Sequence, residues 1–150
     1  MEYMGGRELE QGLIYQDFAT DVLYKHGICL NAYSSKKYNI EKGESVAGIE
    51  IKNDKNFRNT GNLYIELYER QSTSTDYIEG GVLRKDNTII WFIGDFDEVF
   101  LLSKLRLRYL CNKYQEYGFR YVETPTSKGV LIPVKYILEN CEYIAHYKKK

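Results

Sequence analysis

Cysteine, histidine and tryptophan are all scarce in these 150 residues, at three, two and one. Cys29, Cys111 and Cys141 are odd in number, widely separated and form no C-x-x-C pair, which excludes a disulfide framework and a zinc knuckle. His26 and His146 are too few and too distant for a histidine metal cluster or a hydrolase triad, and no G-x-S-x-G elbow accompanies them. The phosphate loop G-x-x-x-x-G-K-[ST] is missing as well. No run of about 18 apolar residues occurs and no secretory leader is recognisable, so no membrane association is expected. An intracellular, cytoplasmic protein with reduced thiols is the expectation. Net charge is lacking too, because 21 basic residues balance 21 acidic ones. A chain that held nucleic acid by nonspecific phosphate contact would usually be basic, so such a partner would have to be met by local clusters. Lys36-Lys37, the alternating Lys104, Arg106 and Arg108, and the Lys148–Lys150 tail are the clusters available.

What the chain does have is an ordinary globular balance, 43% hydrophobic and 28% charged, at a length that suits one domain over residues 1–150 with a sizeable core. Tyrosine is in surplus, with 15. Tyr64, Tyr68 and Tyr109 lie near basic residues and could stack bases, but a coding bias that also favours Ile, Asn and Lys is the simpler account of the surplus.

The most informative stretch is Gly43–Arg70, GESVAGIEIKNDKNFRNTGNLYIELYER. It parses as two strands, Val46–Asn53 and Asn62–Tyr68, joined by a polar connection through Thr60-Gly61. Ile49 and Ile51 alternate with Glu50, Lys52 and Asp54 in the first; Leu63, Ile65 and Leu67 alternate with Tyr64, Glu66 and Tyr68 in the second. Glu50 and Lys52 therefore share a face, and Glu44 lies just upstream. Two charges in the middle of a strand are unusual without a partner. Chance at this composition gives about two D/E-x-K triplets, and Glu50-Ile51-Lys52 is the only one present. The plain account is an ion pair on a solvated sheet surface.

With Glu44 upstream, the Glu50-Ile51-Lys52 triplet resembles the PD-(D/E)XK nuclease superfamily, although no Pro-Asp precedes it and the upstream acid stands only six residues away. The resemblance implies an α+β (α/β) fold, a central mixed β-sheet flanked by helices with a restriction-endonuclease-like core in the order αβββαβ. It implies Glu44, Glu50 and Lys52 as catalytic residues. Glu44, Glu50 and the Ile51 carbonyl, with Glu66 as a further acid, would hold Mg²⁺ or Mn²⁺. Glu66 has an alternative role as an ion-pair partner of Lys52. A first-helix glutamate often approaches the metal in that superfamily, and Glu10, with Asp17 behind it, is the candidate; a solvated acidic helix face is the alternative. Lys55 and Arg58 supply donors where a DNA backbone could pass. The implied activity is Mg²⁺-dependent DNA endonuclease action, with junctions or branches as candidate substrates and a homodimer as the candidate assembly. A non-catalytic DNA-binding or protein-interaction domain with a nuclease-like fold is the competing account.

The remaining elements follow from periodicity and punctuation. Arg7–Lys25 reads as a helix stopped at Gly27, with an apolar stripe of Ile14, Tyr15, Phe18, Ala19 and Val22. Ile28–Tyr33 reads as a strand. Ser72 and Thr73 could cap a short helix running toward Gly80-Gly81. Thr88–Gly94 and Val99–Leu102 form a hairpin about Asp95–Asp97, and Leu105–Tyr117 is a second helix ending at Gly118. Arg120–Glu123 and Val130–Val134 are expected as a strand pair added at an edge, with a helical turn near Ile137–Glu139.

Overall fold

The computed structural model describes residues 4–31, 42–43 and 45–144, with side chains described from 10 to 141. Helix α1, Met4–Lys25, is followed by β1 (Ile49–Asn53), a short helix α2 (Phe57–Thr60), β2 (Asn62–Glu69), β3 (Ile78–Glu79) and a 3-10 turn at Gly81–Leu83. Then come β4 (Ile90–Gly94), β5 (Val99–Ser103), α3 (Lys104–Asn112), α4 (Tyr114–Tyr117), β6 (Arg120–Glu123), β7 (Ser127–Pro133), α5 (Val134–Glu139) and β8 (Glu142–Ile144).

These strands build two four-stranded sheets. One has the order β1-β4-β5-β8 and is mixed; the other has the order β3-β2-β7-β6 and is antiparallel. The α+β mixture of sheets and helices is as expected. The expected neighbours β1 and β2, however, lie in different sheets. β1 runs parallel to β4, with Glu50 opposite Trp91 and Lys52 opposite Ile93, and β2 pairs antiparallel with β7. The expected edge addition thus supplies β7, an interior strand of the second sheet.

Alternation explains the layering. Ile49, Phe92 and Val99 lie on one face of the mixed sheet and pack with Tyr15, Ala19, Val22 and Leu23 of α1. The opposite face carries Trp91, Ile93, Phe100 and Leu102. It packs with Leu63, Ile65, Val130 and Ile132 from the second sheet and Leu107, Leu110 and Cys111 from α3. Fully burying one such aliphatic side chain stabilises the fold by about 1.5–3 kcal/mol. The stripe of α1 is narrower than expected, because Ile14 is exposed.

Local boundaries have local causes. β1 starts at Ile49 rather than Val46 because a turn precedes it: Gly48 N–H donates to Ser45 O, and Ser45 Oγ both accepts from Ile49 N–H and donates to Ile49 O. Gly48 sits at φ +71°, and a Cβ there would meet Asn87 O at 2.8 Å. Residues 28–31 are not a strand, and the rest of that expected strand lies outside the described residues. The expected helix after Ser72 is a turn instead, closed by Thr75 Oγ1 on Ser72 O (2.9 Å). α3 and α4 divide the single expected helix at Lys113, and the segment still stops at Gly118 (φ +74°).

Candidate functional site

Glu50 and Lys52 stand two residues apart on β1, so their side chains leave the same face. That face is the one turned to the second sheet, which makes Glu50 a buried carboxylate, its side chain only 10% exposed. Lys52 Nζ lies 3.2 Å from Glu50 Oε1, and Arg84 Nη2 lies 3.9 Å from Glu50 Oε2. Glu50 Oε2 is nevertheless buried with no hydrogen-bond partner. A charged oxygen in that state is costly, and such an oxygen in a native fold calls for an explanation. Lys52 is partly exposed and holds its ammonium 5.6 Å from the centre of the Trp91 ring.

Glu66 joins this group from the other sheet. Lys52, Glu66, Tyr64, Trp91 and Ile93 line one open cleft of about 540 Å³. Burial pushes the Glu66 carboxyl above the usual carboxylate range; Lys52 opposes that, Glu69 and Glu50 add to it, and Arg84 opposes it. The backbone around Glu66 is irregular. The β2–β7 register shifts between Glu66 and Tyr68, a bulge that re-aims neighbouring side chains. Gly81, at φ +49°, presses close behind, since a Cβ there would lie 2.0 Å from Glu66 O.

The other expected site residues divide. Ile51 points to the α1 side, half-buried against that cluster and opposite Phe92 in register. Glu44 lies outside the described residues. Glu10 and Asp17 are exposed on α1, the helix that covers the face of the mixed sheet opposite Glu50. Gln11, beside Glu10, accepts a hydrogen bond from Lys55 Nζ, and Lys55 is at the cleft. Arg58 is engaged by acids: it pairs with Asp95, lies 3.0 Å from Glu98 and reaches Asp97 at 3.9 Å. Its guanidinium ties α2 to the β4–β5 turn. Asp54 likewise has a structural task, accepting the N–H groups of Asn56 (3.0 Å) and Tyr64 (2.9 Å). Among the described residues, no three His, Cys, Asp or Glu side chains are grouped so as to hold a metal ion.

Sequence reasoning missed Arg84, Asp86 and the inward role of Lys104. Asp86 accepts from Lys104 Nζ (2.7 Å), Arg84 Nε (2.9 Å) and Thr88 N–H (2.9 Å). Burial works to raise the Asp86 carboxyl, yet the hydrogen bonds from Lys104, Thr88 and Arg84 hold it below the usual range. A chain of alternating charges therefore runs Lys52, Glu50, Arg84, Asp86, Lys104 from the cleft into the interior. The signal lay in helical spacing: Lys104, Leu107, Arg108 and Cys111 stand at i, i+3, i+4 and i+7, one helix face, whereas reading Lys104, Arg106 and Arg108 as a basic run hid it.

Among the described residues no helix is long and apolar enough to cross a membrane. Comparison with protein-family models, with curated proteins and with solved structures yields no match for this chain.

Proposed function

We propose that the cleft is the active site of a metal-dependent DNA endonuclease with a restriction-endonuclease-like core. The observation that carries this reading is the buried Glu50 Oε2, left without a hydrogen-bond partner on a carboxylate whose other oxygen meets Lys52, the residue that lines the cleft together with Glu66. A cation would give that oxygen the partner it lacks and would offset the burial that disfavours the charged form of Glu66, so the two acids suit a hard divalent ion. Glu50 and Glu66 would hold Mg²⁺ or Mn²⁺, with Glu44 as the third acid of the proposed set. When bound, the ion supplies a water of lowered pKa and positive charge at the scissile phosphate. Lys52 then offers a positioned point charge for the phosphoryl oxygens or the attacking water, anchored by Glu50 and backed by the Trp91 ring. Arg84, 3.9 Å from Glu50 Oε2, adds positive charge on the inner side of the Glu50 carboxylate. A twofold homodimer would let such a small domain cut both strands.

A second reading has its own observation. Lys52 and Arg84 already flank Glu50, two cations for one carboxylate, so the group needs no added ion, and a cleft of this kind would bind DNA without cutting it. One experiment separates the two. Plasmid, branched and single-stranded DNA are incubated with Mg²⁺ or Mn²⁺, and gel shifts are run in EDTA. The nuclease cleaves only with metal, and Lys52→Ala loses cleavage while keeping the shift. Binding in EDTA with no cleavage of any substrate establishes the second reading and ends the first.

A further inference from the structure

On the far side of Arg84 lies a second cleft, about 770 Å³, walled by the 84–90 segment and the first turn of α3. Arg84, Lys85, Lys104 and Arg108 line it, against the single carboxylate of Asp86. The chain as a whole is neutral, so this excess of three positive charges is a local concentration. The Asp86 charge is consumed by Lys104 and Arg84. Arg108 directs its Nε to Val82 O and its Nη2 to Leu83 O (3.1 Å), carbonyls that orient the guanidinium without cancelling its charge. Lys85 is exposed at the edge.

Two further features point the same way. Thr88 lines the cleft, is 5% exposed, and its Oγ1 is buried without a hydrogen-bond partner. The nine-residue α3 begins here, with Ser103 Oγ accepting Arg106 N–H (3.0 Å), and its N-terminal turn adds partial positive charge. The mouth is apolar, with Ile89 and Leu105 63% and 75% exposed.

We propose that this second cleft binds a phosphate group carried on a nucleotide or a nucleic-acid strand. Lys85 and Arg108 supply the charge, a turn about χ1 brings the buried Thr88 hydroxyl round to donate a hydrogen bond, and Ile89 and Leu105 contact the attached sugar or base. The proposal does not rest on hydrolysis at the Lys52 cleft.

The test is calorimetric titration of the full chain in EDTA with pyrophosphate, a nucleoside 5′-diphosphate and a short oligonucleotide lacking terminal phosphates. The variants are Lys85→Glu, at an exposed position, and Thr88→Val, which keeps shape and removes only the unpartnered hydroxyl. Wild type is expected to bind at least one probe. Lys85→Glu should weaken it by about tenfold or more, and Thr88→Val by severalfold with no fall in melting temperature. Binding of the oligonucleotide assigns the site to strand phosphodiesters; binding of the diphosphates alone assigns it to a terminal phosphate. The proposal is overturned if none of the probes binds, or if both variants bind as wild type does. Cleavage is not read and metal is absent, so this result and that of the nuclease assay are separate.

Discussion

Asp86 and Lys104 meet at 2.7 Å with side chains only 2% and 7% exposed, a buried ion pair that joins the loop before β4 to the first turn of α3. Removing one member of such a pair strands the other in the interior. Lys104→Met is expected to cost about 3 kcal/mol in urea unfolding, tempered because Arg84 still reaches Asp86. A loss under about 1 kcal/mol would mean that the pair is not desolvated as described.

Acid should weaken the fold through two aspartates. Hydrogen bonds overcome burial to hold Asp86 and Asp95 below their ordinary values; for Asp95 the donors are Arg58 and the N–H groups of Glu98 and Asp97. A depressed folded-state value stabilises fully above the unfolded value, about pH 4, and that stability is lost as pH falls through the lower one. The wild-type advantage over Asp86→Asn should therefore shrink below about pH 4 in pH-dependent denaturation. An advantage that is constant down to strong acid would contradict it.

Glu66 has the opposite sign. Its folded-state value is raised, first by burial, so the folded state disfavours its ionisation as pH climbs past the ordinary glutamate value. Glu66→Gln should be more stable than wild type near neutrality and equal to it below about pH 4. Under the nuclease reading the same variant loses metal-dependent cleavage, a gain in stability at the expense of activity.

Trp91 is the only tryptophan, is 2% exposed and lines the cleft under Lys52, which makes it a built-in reporter. Its emission should be blue-shifted. Mn²⁺ should quench it in wild type but not in Glu50→Gln. An unchanged spectrum at saturating Mn²⁺ removes the ion from this cleft.

The cysteines should differ in reactivity. Cys111 is buried in the inter-sheet core, and burial pushes its thiol up to about 12, whereas Cys29 is exposed. A thiol-specific chromogenic reagent should label Cys29 in the native protein and Cys111 only after unfolding. Rapid native labelling of Cys111 would show that the core opens.

Periodicity made faces legible, and it could not name partners. The alternation of Leu63, Ile65 and Leu67 against Tyr64 and Glu66 gave the buried side of β2 correctly, and the β4–β5 hairpin followed from a short apolar run on each side of Asp95–Asp97. Nothing in alternation says that β1 pairs with β4, 41 residues on, or that β2 waits for β7. Long-range pairing is decided by complementary surfaces such as the core that gathers Trp91, Leu63 and Ile65 from the two sheets, which no local window contains. In the candidate site, Glu50, Lys52 and Glu66 were readable as charges placed mid-strand. Arg84 and Asp86 were not, because they sit in an irregular loop where only the fold gives charges their neighbours.

The same-direction alignment of β1 and β4 carries a lesson about synthesis. Glu50 and Lys52 leave the ribosome before their partner strand: β1 has no described strand beside it until residues 90–94 have emerged, and the sheet that holds Glu66 stays half-made until 127–133 follow. Contacts of such long sequence separation form late. Until residue 133 has emerged, the sheet that carries Glu66 to the cleft of Lys52 is incomplete, so the cleft is assembled by segments far apart in the chain.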